Sequence, residues 1–195
     1  MKLIGFYDYT VILTYMSLVS AVTGMFLSAN GRFTAAILCL VLCGICDAFD
    51  GTVARSKKNR TEDEKAFGIQ IDSLCDAVSF GVFPALLCYH LGVNNVAGFV
   101  ILSLYALCGV IRLAFFNVEE GKRQQTEGGC NKTYRGLPIT SASIILPLVY
   151  LTRSFLPGKV FRSLLYLVMA VTAFLFVLDF SVKKFDFSKL LTKTR

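Results

Sequence analysis

The sequence predicts an all-α integral membrane protein in which six transmembrane helices surround a polar site. The first observation is composition, because 55% of the 195 residues are hydrophobic and only 17% are charged, with a mean hydropathy of +0.62. A chain of this size cannot hide so much apolar surface in one soluble core. The second observation is a series of apolar runs, most of them long enough to cross a bilayer. The third is a group of aspartates inside two of these runs.

The apolar runs follow one another with polar turns or loops between them. They cover approximately residues 9–29, 33–55, 67–91, 96–116, 136–151 and 160–180. Thr, Ser and Gly in the first run predict a face that packs against other helices, and Pro84 and Pro147 predict kinks in the third and fifth runs. The first run is too long for a cleavable signal peptide. No repeat or long linker divides the chain, so we expect a single domain over residues 1–195.

Four aspartates lie within the second and third runs, namely Asp47, Asp50, Asp72 and Asp76. On helices, the first two (i, i+3) share one face and the last two (i, i+4) share another, so two helices can direct all four carboxylates at one point. An unpaired acid at membrane depth costs at least about 2.5 kcal/mol, so the group needs a compensating charge. Oxygen ligands without His or thiolate favour hard cations such as Mg²⁺, Mn²⁺ or Ca²⁺. A purely structural cluster is the alternative, but structural polar contacts in membranes favour Ser, Thr and Asn.

The sequence around the aspartates reads D-x-x-D-G-x-x-A-R and then G-x-x-x-D-x-x-x-D. This pattern resembles the signature of the CDP-alcohol phosphatidyltransferases, integral membrane enzymes of phospholipid synthesis. The eight signature positions all match, and they are Asp47, Asp50, Gly51, Ala54, Arg55, Gly68, Asp72 and Asp76. The resemblance implies that the four aspartates hold Mg²⁺ or Mn²⁺, with two ions per site. It also implies that Asp76 is the catalytic general base toward an acceptor hydroxyl.

The same resemblance implies a CDP-linked lipid as the first substrate. The resemblance also implies which residues bind the lipid's cytidine and diphosphate, namely Asp47, Asp50, Gly51, Ala54, Arg55 and Gly68. Small residues at positions 51 and 54 remove side-chain bulk beside the aspartates, so a nucleotide can approach the helix backbone.

Three further segments resemble the phosphatidylserine synthase branch of that family, namely residues 72–84, 112–117 and 136–142. The branch implies transfer of a phosphatidyl group from CDP-diacylglycerol, or from a CDP-linked ether lipid, to L-serine with release of CMP. Candidate residues for binding the acceptor are Ser79, Arg112, Asn117 and Arg135. The planar guanidinium of Arg112 suits a carboxylate or phosphate, and the alternative is that it only neutralises excess aspartate charge.

Other function classes fit the sequence less well. A different acceptor within the family, glycerol 3-phosphate or an inositol phosphate, stays open. A membrane cation transporter would place its aspartates on broken helices within an inverted repeat, and the sequence contains no such repeat. The net charge of +7 lies mostly in loops between apolar runs, which favours anionic lipid headgroups over nucleic acid as the partner.

Charge distribution also predicts the orientation in the cell membrane. With six spans, fifteen basic residues lie on the side of the termini and the aspartates, against Arg32, Arg153, Lys159 and Arg162 on the other side. The positive-inside bias therefore predicts a multi-pass protein with its active site and both termini in the cytoplasm. A homodimer within the bilayer is compatible with the sequence but is not indicated by any particular residue.

Overall fold

The computed structural model describes residues 5–7, 9–57, 61–125 and 133–183. As predicted, these residues are almost entirely helical. The α-helices are α1 (Ile12–Ala29), α2 (Phe33–Ser56), α3 (Glu62–Asp76), α4 (Phe83–His90), α5 (Val96–Gln125), α6 (Ala142–Leu151) and α7 (Gly158–Val177). Short 3₁₀ turns precede α1 and flank α6, at Tyr9–Val11, Ile139–Ser141 and Thr152–Ser154.

Several of these helices are long and apolar enough to cross a membrane. Within the described ranges there are five such stretches: Ile12–Ala29, Phe33–Gly51, Glu62–His90, Val96–Glu119 and Gly158–Val177. The predicted fifth span corresponds to a shorter apolar stretch, Ile139–Ser154. At 1.5 Å per residue it covers roughly 24 Å, less than the about 30 Å of a bilayer core. The fold class is confirmed, and one of the six predicted crossings is shorter than the others.

Helices α1 and α2 form a tight antiparallel pair. The chain reverses at Asn30 and Gly31, where Gly31 has a φ of 73°, a left-handed conformation that glycine adopts without strain. The Asn30 side chain caps the end of α1 by donating to the Phe26 carbonyl at 2.8 Å. This turn lies where the sequence predicted it.

The inward face of α1 is built from small and hydroxyl side chains. They recur every three or four residues and are Thr14, Ser17, Ser20, Ala21, Gly24 and Ser28. At Gly24 an added Cβ would overlap the ring of Phe83, so only glycine allows this approach. Met16, Val19 and Phe26 are exposed on the opposite face. The predicted packing face of α1 is confirmed.

The third span changes helical type in the middle. Between α3 and α4, residues Ala77–Val82 form a π-helical segment, and Pro84 follows in the first turn of α4. Proline has no N–H, so the carbonyl four residues earlier, at Phe80, has no α-helical donor. The hydroxyl of Tyr105 on α5 donates to that carbonyl at 2.8 Å. The kink predicted at Pro84 therefore takes the form of a π-helical turn just before that residue.

A small β-ribbon joins two distant parts of the chain and was not predicted. Strands β1 (Thr133–Arg135) and β2 (Ser181–Lys183) pair antiparallel, with Tyr134 opposite Val182. The N–H of Gly136 continues the contact by donating to the Phe180 carbonyl at 2.6 Å. The last helix ends at Val177, before the predicted residue 180, because Leu178 turns to an extended conformation with a ψ of 123°.

Candidate active site

The four aspartates are carried by α2 and α3. Asp47 and Asp50 lie near the end of α2, Asp72 lies on α3, and Asp76 is the last residue of α3. Helix α1 contacts both α2 and α3, so it fixes the two carboxylate-bearing helices relative to each other. A capping box starts α3, in which Thr61 Oγ1 accepts from the Glu64 N–H at 3.2 Å and Glu64 Oε2 accepts from the Thr61 N–H at 2.9 Å.

Three of the carboxylates converge closely. Asp47, Asp50 and Asp72 each offer an oxygen within 4.8 Å of the others, and all three residues are half-buried. The carboxyl groups of Asp50 and Asp72 are within hydrogen-bonding contact. Asp76 is 9% exposed, and it lies near enough to be repelled by the carboxylates of the other three.

The cluster fits a divalent metal ion by its donor chemistry. All three converging ligand atoms are carboxylate oxygens, which hard cations prefer. Three carboxylates this close repel one another unless a cation lies between them. Within the described ranges, the ion pairs join Lys57 to Glu64 and Lys65 to Glu62, and neither involves the aspartates. The convergence of three carboxylate oxygens therefore suits a divalent cation.

Small residues border the aspartates on both helices. Gly51 follows Asp47 by one turn, and Gly68 precedes Asp72 by one turn. Each glycine therefore lies on the face that carries an aspartate and adds no side chain there. Ala54 and Arg55 belong to α2, but their side chains lie outside the described residues, so their predicted part in binding the CDP-linked lipid stays a prediction.

Two acceptor candidates are engaged in contacts between helices. Ser79 is fully buried in the π-helical segment, and its Oγ lies 3.4 Å from Ser17 Oγ on α1. Asn117 on α5 accepts a hydrogen bond of 2.9 Å from Ser73 Oγ on α3. Ser73 immediately follows Asp72, so Asn117 is tied to the carboxylate-bearing helix.

Arg112 lies elsewhere on α5, facing α7. It is 6% exposed, its guanidinium stands 4.5 Å from the ring centre of Phe116, and its nitrogens lie 3.5 and 3.4 Å from the carbonyl oxygens of Phe176 and Gly136. The contacts described for Arg112 are therefore with the end of α7 and the start of the α6 segment, and its predicted part in binding the acceptor stays a prediction.

A cavity of about 210 Å³ opens beside Arg112. It is lined mainly by Phe115, Phe116, Phe176 and Leu178, together with Asp179. Among the contacts that the structure describes, two long carbonyl contacts use two donors of the Arg112 guanidinium, which has five, so the group can also donate to an anionic ligand. Arg135 is the last residue of β1 and directly precedes Gly136. Its side chain lies outside the described residues.

Comparison with known proteins assigns the family. Residues 9–178 match the family described as CDP-alcohol phosphatidyltransferase. This chain belongs to the CDP-alcohol phosphatidyltransferase family. No solved structure gives a significant match.

Curated members of the CDP-alcohol phosphatidyltransferase family resemble the chain over most of its length. Archaetidylserine synthase from Methanothermobacter thermautotrophicus is 36% identical over 152 residues, which is 77% of this chain and 61% of that protein. CDP-diacylglycerol–serine O-phosphatidyltransferase from Saccharomyces cerevisiae is 38% identical over 130 residues, or 63% and 46% of the two chains. The enzyme of the same name from Helicobacter pylori strain 26695 is 32% identical over 163 residues, or 80% and 65%. This chain thus spans about half to two thirds of the length of these relatives.

Sequence reasoning missed three residues that shape the family site in this chain. Ser17 contacts Ser79, Ser73 binds Asn117, and Tyr105 binds the Phe80 carbonyl. Ser17 belongs to the small, polar face of α1, and Ser73 follows a signature aspartate, so both had a sequence signal. Tyr105 had none, because an apolar run gives no indication of which hydroxyl meets which carbonyl.

Proposed function

We propose that the chain transfers a phosphatidyl group from CDP-diacylglycerol, or from a CDP-linked ether lipid, to the hydroxyl of L-serine. The observation that carries this proposal is the convergence of Asp47, Asp50 and Asp72 in a member of the CDP-alcohol phosphatidyltransferase family. The names of the relatives support serine as the acceptor, since each is named a CDP-diacylglycerol–serine O-phosphatidyltransferase or an archaetidylserine synthase. The products would be phosphatidylserine, or its ether analogue, and CMP.

In this proposal Asp47, Asp50, Asp72 and Asp76 hold two divalent cations, either Mg²⁺ or Mn²⁺. The ions would supply positive charge to the diphosphate and to the oxygens that attack and leave. The backbone at Gly51 and Gly68, where no side chain projects, accepts the nucleotide part of the substrate, and Arg55 and Ala54 complete the binding of the CDP-linked lipid. The acyl chains stay in the bilayer beside α2.

Asp76 receives the proton of the acceptor in this scheme. The serine hydroxyl oxygen forms a bond to the phosphorus that bears the lipid, the bond from that phosphorus to the bridging oxygen breaks, and CMP leaves with the electron pair. The hydroxyl proton passes to a carboxylate oxygen of Asp76, which is buried beside the cluster. A carboxylate is a weak base, so the geometry must hold the hydroxyl close to it.

The serine itself needs a cation for its carboxylate, since the aspartates repel it. We assign this part to Arg112 or Arg135, with Ser79 and Asn117 as polar partners of the ammonium or carboxylate group. The cavity beside Arg112 and the buried position of that guanidinium support Arg112 as the first choice.

The proposal includes a membrane orientation. The described helices make this a multi-pass membrane protein by length and composition, and the excess of basic residues on the side of the aspartates supports a cytoplasmic active site and cytoplasmic termini. We treat residues 1–195 as one domain, working as a monomer or a homodimer in the bilayer.

Release of CMP from CDP-diacylglycerol tests the proposal directly. Purified chain in detergent should release CMP when L-serine and Mg²⁺ or Mn²⁺ are added, and a competition with labelled serine, glycerol 3-phosphate and inositol phosphate should label phosphatidylserine. CMP release with one of the other acceptors would keep the family chemistry and reject serine. A cation transporter would release no CMP under any of these conditions.

A further inference from the structure

A second polar feature lies at the end of the helix bundle opposite the aspartates. It is a cleft of about 530 Å³ formed where α2 begins, α4 ends, and α6 connects to α7. Phe33 precedes Asp47 by fourteen residues and His90 follows Asp76 by fourteen, so about 21 Å of helix separates the cleft from the carboxylates on both sides. We refer to it as the basic cleft, and its lining residues are Phe33, His90, Leu91, Arg153, Leu156, Gly158, Lys159, Phe161 and Arg162.

The basic cleft carries positive charge without any acidic counterpart. Arg153, Lys159 and Arg162 line it, and the sequence contains no Asp or Glu in residues 9–46, 77–118 or 136–178. Every helix end that borders the cleft falls within those ranges. Three cations around one cavity repel one another unless an anion lies between them, so the charge points to an anionic ligand.

The two arginines of the basic cleft are held in place by the fold. The Arg153 guanidinium stands 5.1 Å from the ring centre of Phe33, and its Nη1 donates to the Tyr150 hydroxyl at 3.2 Å. The Arg162 side chain packs against Gly92, where an added Cβ would lie 2.7 Å from its Cδ, and its Nε donates to the Gly158 carbonyl at 3.3 Å. These contacts leave other guanidinium donors of both side chains for a ligand.

His90 adds a further donor or acceptor to the basic cleft. Ser28 Oγ donates to the Met25 carbonyl at 2.8 Å, so it accepts from His90 Nδ1, which lies 3.0 Å away. Because Nδ1 of His90 is engaged with Ser28, Nε2 is the ring nitrogen that can bind another partner. Apolar side chains also line the cleft, Phe161 and Leu156 among them.

We propose that the basic cleft binds the phosphate group of an anionic phospholipid from the leaflet opposite the aspartates. The combination of apolar lining residues and three cations matches a lipid, whose phosphate meets the cations while its chains lie on apolar side chains. A zwitterionic lipid brings its own ammonium group, which these cations repel. Free phosphate would pair with the cations but would leave the apolar lining residues uncovered. This site is separate from the proposed transferase chemistry and does not depend on it.

The test compares lipids and variants in the purified protein. The protein in neutral detergent is mixed with phosphatidylglycerol, with phosphatidylcholine, or with inorganic phosphate, while its unfolding temperature and the number of lipids retained in native mass spectrometry are measured. Phosphatidylglycerol should raise the unfolding temperature and be retained, because a ligand that binds only the folded state stabilises it. Lys159→Gln should weaken its binding about fivefold, as expected for one cation near the membrane surface.

A matched control is available at the same end of the bundle. Arg32 is exposed and basic but does not line the basic cleft, so Arg32→Gln should leave the response to phosphatidylglycerol unchanged, whereas Lys159→Gln and Arg162→Gln each weaken it. Equal weakening in the control and the cleft variants would reduce the effect to general surface charge and overturn the proposal. Equal retention of phosphatidylcholine, or full stabilisation by inorganic phosphate alone, would overturn it as well.

Discussion

The hydroxyl of Tyr105 and the carbonyl of Phe80 form a buried hydrogen bond of 2.8 Å between α5 and the π-helical segment. Pro84 leaves this carbonyl without an α-helical donor, and Tyr105 is 1% exposed, so water does not replace it. The segment begins directly after Asp76 and contains Ser79. A contact far from the carboxylates along the chain thus supports the turn that follows the proposed general base.

Removing this hydroxyl should therefore affect both stability and turnover. We expect Tyr105→Phe to lower the free energy of unfolding by about 1–2 kcal/mol, because it leaves a buried carbonyl unpaired, and to lower kcat by roughly tenfold through a shift of Asp76. Thermal unfolding and CMP release measure the two effects. Tyr89→Phe is the control, since the structure describes ring contacts but no hydroxyl hydrogen bond for Tyr89. Equal losses in both variants would contradict a specific role for Tyr105.

Much of the site could be predicted because helical periodicity is a local property. The i, i+3 spacing of Asp47 and Asp50 places both carboxylates on one face of α2 wherever that helix lies. The direction of Arg112 could not be obtained in this way, since it depends on how α5 packs against α7. The β-ribbon depends on pairing Tyr134 with Val182, a contact between residues far apart in sequence. Local patterns therefore predicted the convergence of Asp47, Asp50 and Asp72 but not the contacts of Arg112.

The carboxylate cluster predicts a strict dependence on a divalent cation. Asp47→Asn or Asp72→Asn should each lower activity about 100-fold or more, because each removes a charged ligand from the group that converges within 4.8 Å. A chelator should abolish activity, and Mg²⁺ or Mn²⁺ should restore it. Asp63→Asn is the matched control, since Asp63 is exposed in the first turn of α3. Full activity in excess chelator, or in either cluster variant, would rule out the metal site.

Close contact between α2 and α6 predicts a steric effect near the aspartates. Gly44 lies one turn before Asp47, and an added Cβ there would overlap Ser143 Oγ and lie 2.6 Å from Ser143 Cβ. Gly44→Ala should therefore cost about 1–3 kcal/mol of stability by forcing the two helices apart. Gly121→Ala is the control, because an added Cβ at Gly121 meets nothing within 4 Å. An unchanged unfolding temperature for Gly44→Ala would show that α6 moves freely away from α2.

The orientation in the membrane can be tested by cysteine labelling in intact cells. In a Cys130→Ser background, we expect Asn94→Cys to react with a membrane-impermeant maleimide, because Asn94 is exposed between α4 and α5, on the side predicted to face outward. Lys193→Cys should react only after the cells are opened. Labelling of position 193 from outside, with position 94 protected, would reverse the proposed orientation and place the aspartates on the outer side.

The binding of the serine carboxylate is the most specific prediction for Arg112. Its guanidinium is buried between Phe116 and two carbonyls that lie 3.4 and 3.5 Å away, so it is oriented, and these described contacts use fewer than its five donors. Lysine keeps the charge but loses the planar pair of donors that a carboxylate can engage. If Arg112 only joins α5 to α7, the loss of that geometry should instead affect folding and both substrates alike.

We therefore expect Arg112→Lys to raise the KM for serine roughly tenfold or more while the KM for CDP-diacylglycerol changes little. Arg135→Lys tests the other candidate cation in the same way, and Arg32→Lys, on the opposite side of the membrane from the aspartates, is the control that should leave both constants unchanged. Steady-state kinetics with each substrate varied in turn separates the outcomes. An equal loss for both substrates would assign Arg112 to the packing of α5 against α7. Normal serine kinetics in both Arg112→Lys and Arg135→Lys would exclude both arginines as the carboxylate partner.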